Sequence, residues 1–170
     1  RAYAGTVMLE GTTLSEGRGT TRPLEIFGAP DIDAHAILAE MRAFAPHWLA
    51  GCQLREIWFE PTFHKHAGQL CNGLQIHVEG PSYDHAAFRP WRLQALAFKA
   101  IRRLHPDYPL WRDFAYEYEH DRLAIDLING STLLREWVDD PASTPAQLDA
   151  LTTVDEAAWR ATTGEFLLYR

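Results

Sequence analysis

Leu74-Gln75-Ile76-His77-Val78-Glu79 alternates strictly between apolar and polar side chains. Because successive side chains of a β-strand point to opposite faces, this alternation predicts a strand with Gln75 and His77 on one face and the apolar residues on the other. Two further strand-like segments precede it, Leu24–Gly28 and Gln53–Glu60, and each ends close to a proline. These three segments predict a small sheet.

Helical segments surround these strands in the sequence. Asp33 is a candidate N-cap for a helix from Ala34 to Ala45, and Pro90 fits the first turn of a long helix over Arg89–Leu104. Shorter helices are predicted at Ala124–Ile128, Thr132–Val138, Pro145–Leu151 and Asp155–Thr163. The order of elements is mixed, so the predicted fold class is α+β (α/β mixed), a small mixed β-sheet with packed helices in a single domain.

Three other segments carry weaker patterns. Tyr3–Glu10 and Phe114–Tyr118 contain enough alternating apolar residues to predict two more strands. The hydrophobic tail Phe166–Tyr169 is expected to dock on the body of the domain.

The composition restricts the class of protein. The 170 residues are 46% hydrophobic, which is enough for a sizeable core, and the net charge is -7. An acidic surface repels phosphate backbones, so nucleic acid is not an expected partner. No apolar run approaches the length that spans a bilayer. The two cysteines, Cys52 and Cys71, permit one disulfide at most, and two separate thiols are the simpler expectation.

The segment Gly11–Pro23 is the most unusual in the chain. Three charged side chains, Glu16, Arg18 and Arg22, lie among three glycines, one serine and four threonines. Glycine lets the backbone approach a ligand closely, arginine binds carboxylates through a planar fork, and hydroxyl groups bond to sugar oxygens. The combination suits an anionic ligand rich in hydroxyl groups. The alternative is a tight loop held by internal Glu–Arg pairs.

A second polar segment runs from Pro61 to the start of the alternating strand. His64 and His66 lie within it and His77 follows, but no carboxylate or thiolate accompanies them at zinc-like spacing, so neither a metal nor a cofactor is predicted. Gln75 and His77 would offer paired hydrogen-bonding groups if their strand face lines a cleft. The alternative is a solvated strand face.

One bacterial family shares the first of these segments. Leu9–Glu25 reads Leu-Glu-Gly-Thr-Thr-Leu-Ser-Glu-Gly-Arg-Gly-Thr-Thr-Arg-Pro-Leu-Glu. It closely resembles the signature of the NamZ-type exo-beta-N-acetylmuramidases, glycoside hydrolase family 171, which usually has Asn at the position of Thr13 and Phe at that of Leu24. The resemblance extends to Pro61–Val78, Ala124–Gly130 and Phe166–Tyr169.

The resemblance implies a two-domain enzyme that releases N-acetylmuramic acid from the non-reducing ends of peptidoglycan fragments. Residues 1–170 correspond to its carboxy-terminal, cleft-forming domain. The amino-terminal Rossmann-like domain, which carries the principal catalytic glutamate of the family, is absent from this sequence. The implied partners are therefore that domain and muramyl saccharides, the implied location is secreted or periplasmic, and the isolated chain is expected to be inactive.

Several residues of this chain are expected to serve the cleft. Glycoside hydrolysis normally uses two carboxyl groups, and Glu16 is the best local candidate for the second, with Glu10 and Glu25 behind it. Whether Glu16 is catalytic or a sugar or arginine partner stays open. Arg18 is expected to contact the lactyl carboxylate of muramic acid. The expected binding residues are Ser15, Arg18, Thr20, Thr21, Arg22, Gln75 and His77.

Two functions of another class remain alternatives. The chain could be a non-catalytic, cell-wall carbohydrate-binding module that binds glycans by itself. It could also be an interaction domain for an envelope protein. That function predicts an exposed apolar patch and no convergence of the glycine-rich loop with Gln75 and His77.

Overall fold

The computed structural model describes residues 1–168 and divides into two compact units, Arg1–Asp139 and a second that begins at Asp140. The helices are α1 (Tyr3–Thr6), α2 (Ala34–Phe44), α3 (Pro90–Leu104), α4 (Ala124–Asn129), α5 (Leu133–Asp139) and α6 (Pro145–Thr163). Two 3₁₀ helices occupy Val7–Gly11 and Pro46–Leu49, and the strands are β1 (Ile26–Ala29), β2 (Gln53–Phe59) and β3 (Cys71–His77).

The three strands form one sheet in the order β1-β3-β2, and both pairings are antiparallel. The α+β fold class is thus confirmed, with an antiparallel sheet in place of the mixed sheet predicted. The register places Gln75 of β3 between Ile26 of β1 and Arg55 of β2. All residues of β3 except His77 are buried, and Gln75 is only 7% exposed. The solvated-face alternative is therefore wrong for Gln75.

Helix α2 begins as predicted and packs against α3, β2 and β3. The Asp33 carboxylate accepts hydrogen bonds from the N–H groups of His35 and Ala36, which would otherwise be unsatisfied at the helix start. The N–H of Ala34 donates to the Asn72 side chain of β3 at 2.6 Å. Residues Leu93–Ile101 of α3 are buried, and α3 packs against α1, α2 and α5. Helices therefore cover one face of the sheet.

The predicted strand over Tyr3–Glu10 is wrong, because this segment is helical. The N–H groups of Gly5 and Thr6 both donate to Ala2 O, which closes a helical turn. Gly5 lies directly on the backbone of α3, since a Cβ placed there would be 2.1 Å from Pro90 O. Consecutive residues of this segment, rather than alternate ones, are thereby buried.

The segment Phe114–Tyr118 is also not a strand. It forms only an isolated bridge between Tyr116 and Glu119, and Glu117 has a φ of 53°, which belongs to turn geometry. The Tyr116 hydroxyl bonds to Glu10 far away in sequence, whereas Tyr118 is almost fully exposed.

The second unit is built on α6. The helix is continuous from Pro145 to Thr163, where two short helices were predicted, and the Thr152 and Thr153 hydroxyls donate to Leu148 O and Asp149 O within it. A capping box between Thr144 and Gln147 begins it.

The carboxy-terminal tail and the apolar character of the helices were both subjects of a sequence prediction. The side chains of Phe166, Leu167 and Leu168 are exposed and Tyr169 lies outside the described residues, so the docking of the tail stays a prediction. Within residues 1–168, no helix is both long and apolar enough to cross a bilayer.

Candidate functional site

The glycine-rich loop folds back on itself and is tied to both neighbouring segments. Ser15 and Gly28 exchange backbone hydrogen bonds at 2.8 and 3.0 Å, which joins the loop to β1. The Leu24 N–H donates to Glu16 O at 2.9 Å, and the Thr62 N–H donates to Arg18 O at 3.0 Å. These backbone hydrogen bonds hold the loop in one conformation. Its glycine and threonine content alone did not predict this.

Glu16 lies at the centre of a buried ion cluster. Its side chain is 1% exposed and contacts the Arg18 guanidinium, the Lys65 ammonium at 2.8 Å and His64 Nδ1 at 3.7 Å. Arg18 also reaches Glu10 Oε1 at 3.1 Å. We refer to Glu10, Glu16, Arg18, His64 and Lys65 as the Glu16 cluster. It joins the glycine-rich loop to the Pro61–Leu70 segment.

Lys65 enters the cluster from the Pro61–Leu70 segment and anchors the loop. Its ammonium group donates to Leu9 O at 2.7 Å and Thr12 O at 3.2 Å, in addition to its contact with Glu16. Three acceptors match the three N–H donors of a lysine ammonium. These contacts with the loop offset the free-energy cost of burying the Lys65 charge.

The backbone around Lys65 is strained. His64 and His66, on either side of it, have φ values of 69° and 56°, a left-handed conformation that is uncommon for residues other than glycine. His66 Nε2 lies 2.9 Å from Thr13 O, so its side chain also contacts the loop. Strain of this kind persists where surrounding contacts enforce it and is concentrated at functional sites.

Burial and charge act in opposition on the pKa values of the cluster. Burial raises the pKa of Glu16, but the charge and hydrogen bonds of Lys65 and Arg18 outweigh it, so the pKa of this carboxyl lies below its usual value. Burial lowers the pKa of Lys65 to about 8 despite the opposing Glu16 charge. Burial also lowers the pKa of His64. At neutral pH the cluster therefore contains an ionised Glu16 and a neutral His64.

One edge of the cluster reaches the surface. The Arg18, Glu10 and His64 side chains are 34%, 26% and 44% exposed. The Tyr116 hydroxyl donates to Glu10 Oε2 at 3.0 Å, and the Arg112 N–H donates to the O atom of Gly11, the next residue, at 3.1 Å. This edge therefore presents charged and aromatic groups to solvent.

The other predicted loop residues have structural contacts of their own. The Ser15 side chain is buried and accepts from the Gly17 N–H, and the Thr20 hydroxyl donates to Gly17 O at 2.6 Å. Thr21 is exposed. Arg22 binds the carboxylates of Glu25 and Glu79 at 3.1 Å each.

Gln75 and His77 are adjacent to the far end of the loop. The Ile76 N–H donates to Glu25 O at 2.8 Å, which places the end of the loop beside β3. Within residues 1–168, no hydrogen bond or ion pair joins Gln75 or His77 to Glu16 or Arg18. Gln75 is bound instead by Arg55 at 2.5 Å. The partners of Glu16 and Arg18 come from His64 and Lys65.

The two cysteines are separate free thiols, as expected. Burial raises the pKa of Cys52 and of Cys71 to about 11 in each case, so both are protonated at neutral pH.

Comparison with known proteins identifies the family. The family described as "Exo-beta-N-acetylmuramidase NamZ, C-terminal" matches residues 1–169. This chain belongs to that family. The resemblance that the Leu9–Glu25 loop carries in the sequence is therefore confirmed.

One protein of known activity and two solved structures are similar to this chain. The peptidoglycan beta-N-acetylmuramidase NamZ of Bacillus subtilis strain 168 is 37% identical over 105 residues, which cover 62% of this chain and 24% of that protein. Two crystal structures of DUF1343 family proteins from Bacteroides fragilis NCTC 9343 each match 99% of this chain. They have TM-scores of 0.68 and 0.64, identities of 20% and 17%, and coverage of 41% and 40% of their own chains. The chain thus spans about two fifths of the solved structures, which confirm its fold.

The Glu16 cluster lies where segments that resemble the NamZ family meet. Glu16 and Lys65 join in space two of the segments that carry the resemblance, Leu9–Glu25 and the one that begins at Pro61. The resemblance and the buried ion pairs therefore coincide in one place in the fold.

Proposed function

We propose that this chain forms one wall of the saccharide-binding cleft of an exo-beta-N-acetylmuramidase, which releases N-acetylmuramic acid from the non-reducing ends of peptidoglycan fragments. Family membership over residues 1–169 supports this proposal, as does the name of the Bacillus subtilis relative. The observation that carries it is the Glu16 cluster, which fixes the family's signature loop with charged groups at the surface.

A Rossmann-like domain of the same protein supplies the opposite wall and the principal catalytic glutamate. The solved relatives are more than twice as long as this chain, which leaves room for such a domain. We further propose that the enzyme acts outside the cytoplasm, secreted or in the periplasm, where its polymeric substrate lies.

Within this wall, Glu16 is a positioning residue. A proton donor in glycoside hydrolysis needs a raised pKa, whereas the pKa of Glu16 is lowered and its carboxylate is buried. Glu16 thus takes the role of arginine partner, one of the roles that the sequence left open, and holds Arg18 and Lys65 in place. The proton donor then comes from the opposite wall.

The remaining predicted residues divide by exposure. Thr21 and the partly exposed His77 are available to saccharide hydroxyl or acetamido groups, whereas Arg22 is exposed but bound by Glu25 and Glu79. Ser15, Thr20 and Gln75 hold the loop and the sheet in shape, since their side chains are bonded internally.

Product release from defined peptidoglycan fragments tests the proposed function. The full-length protein that contains this chain is expected to release free N-acetylmuramic acid from fragments that end in this sugar, as measured by mass spectrometry. Fragments that end in N-acetylglucosamine are the matched control and should remain intact. The 170-residue chain alone is expected to release nothing, because it holds only one wall. Turnover by this chain alone, or cleavage of both fragment types, would contradict the proposal.

A further inference from the structure

Arg112 is a half-buried cation that pairs with no acidic side chain of the described residues 1–168. Its guanidinium packs 3.7 Å from the centre of the Phe114 ring. Among the residues between Arg1 and Leu168, no carboxylate lies within ion-pair distance of it. By contrast, Arg18 is bound by two carboxylates, those of Glu10 and Glu16. Arg112 therefore differs from the arginine that the sequence singled out.

The position of Arg112 is fixed beside the signature loop. Its N–H donates to Gly11 O at 3.1 Å, and the preceding Trp111 forms a bridge with Thr12. Gly11 directly follows Glu10 of the Glu16 cluster, and the positive charge of Arg112 contributes to the lowered pKa values of His64 and Lys65. Backbone and ring contacts thus hold the guanidinium at the exposed edge of the cluster.

The charges at this edge do not balance. Arg18 and Lys65 pair with the two carboxylates of Glu10 and Glu16, and Arg112 adds a third cation beside them, so one positive charge is in excess among these five groups. Partial burial of a cation costs free energy unless an anion compensates for it. A monoanionic ligand would supply that compensation. A planar guanidinium fork matches a carboxylate in particular.

We propose that Arg112 binds the carboxylate of a muramyl saccharide and is the residue that distinguishes N-acetylmuramic acid from N-acetylglucosamine, which lacks this group. The proposal rests on the proposed function, which supplies the saccharide. It transfers the expected carboxylate contact from Arg18 to Arg112, because Glu10 and Glu16 already occupy Arg18. The exposed Phe114 ring beside Arg112 offers an apolar surface for the sugar ring.

The test follows the Arg112 Nε–H signal by NMR in the full-length protein, assigned by its loss in Arg112→Gln. D-lactate and N-acetylmuramic acid are expected to shift this signal, whereas N-acetylglucosamine should not. In a muramoyl peptide the lactyl carboxylate is amide-linked, and the free carboxylate belongs to the peptide. This ligand therefore tests whether Arg112 binds the lactyl carboxylate or a peptide carboxylate. Affinity for N-acetylmuramic acid should fall roughly tenfold or more in Arg112→Gln, as a charged hydrogen bond predicts. Affinity for N-acetylglucosamine should stay unchanged.

Two variants control for charge and folding. Arg112→Lys keeps the charge without the fork and should lose most of the preference. Arg122→Gln, in the same segment but paired with Glu119 on the surface, should keep the full preference. A shift with D-lactate but with no saccharide would uphold the carboxylate site and count against the proposed function. An Arg112 signal that no carboxylate moves, or equal losses for both sugars in Arg112→Gln, would overturn the inference.

Discussion

Glu16→Gln is expected to lower the free energy of unfolding by about 3 kcal/mol, the lower end of the about 3–5 kcal/mol measured when one partner of a buried ion pair is removed. The substitution keeps the shape of the side chain but leaves Lys65 buried without its carboxylate. The loss lies at the lower end because Lys65, with a pKa of about 8, can release its proton. Urea denaturation followed by tryptophan fluorescence measures the change.

Two comparisons isolate the ion pair from general damage. In the Glu16→Gln/Lys65→Met double variant the loss should be smaller than in Glu16→Gln, because no buried charge remains unpaired. Glu119→Gln, which removes an exposed partner of Arg122, should leave the unfolding midpoint nearly unchanged. Equal losses for Glu16→Gln and Glu119→Gln would show that the cluster does not stabilise the loop.

The effect of Glu16 should also depend on pH. Its pKa is lowered in the folded state, so its stabilisation is fully present above the ordinary glutamate pKa of about 4.3. That stabilisation is lost as the pH falls through the lower, folded-state pKa. The difference between the wild type and Glu16→Gln should therefore shrink at acid pH.

Lys65 is expected to titrate at about pH 8, more than two units below the ordinary lysine value of about 10.4. Between these two values the folded chain holds fewer protons on Lys65 than the unfolded chain does. The contribution of Lys65 to stability therefore rises with pH across this range. The chain has only two lysines, Lys65 and Lys99, so NMR of the side-chain methylene groups next to nitrogen resolves both. The spectrum of Lys65→Met assigns the signal.

The same titration of Lys65 in the Glu16→Gln variant shows whether the Glu16 charge raises or lowers the pKa of Lys65. The Glu16 charge raises the pKa of Lys65 against the effect of burial, so its removal should lower the midpoint further. A midpoint near the ordinary lysine value, or an upward shift in the variant, would mean that Lys65 is not buried against Glu16.

Local patterns predicted most of the sheet and the long helices. Strict alternation identified β3, and the Asp33 cap and Pro90 located the starts of α2 and α3 within a residue. The strand predicted at Tyr3–Glu10 failed for a tertiary reason. Gly5 lies against the α3 backbone, a contact far away in sequence, and helical turns bury this segment where its weak alternation suggested a strand.

The site could be predicted only in part. The unusual composition of the Gly11–Pro23 segment identified the loop, and the internal Glu–Arg pair considered there is present between Glu16 and Arg18. The Pro61–Val78 segment also carries the resemblance, but its sequence pattern predicts Gln75 and His77 as the binding residues. Lys65 was missed because a single lysine beside two histidines has no periodic or motif signal, and its burial depends on three acceptors from the distant loop.

The central claim is that the Glu16 cluster forms one wall of the saccharide site. A crystal structure of the full-length protein with bound N-acetylmuramic acid tests this most directly. We expect the sugar at the exposed edge of the cluster, with its carboxylate about 2.7–2.9 Å from the Arg112 guanidinium, the range for charged hydrogen bonds. A sugar bound in contact with neither Arg112, Arg18 nor His64 would contradict the account.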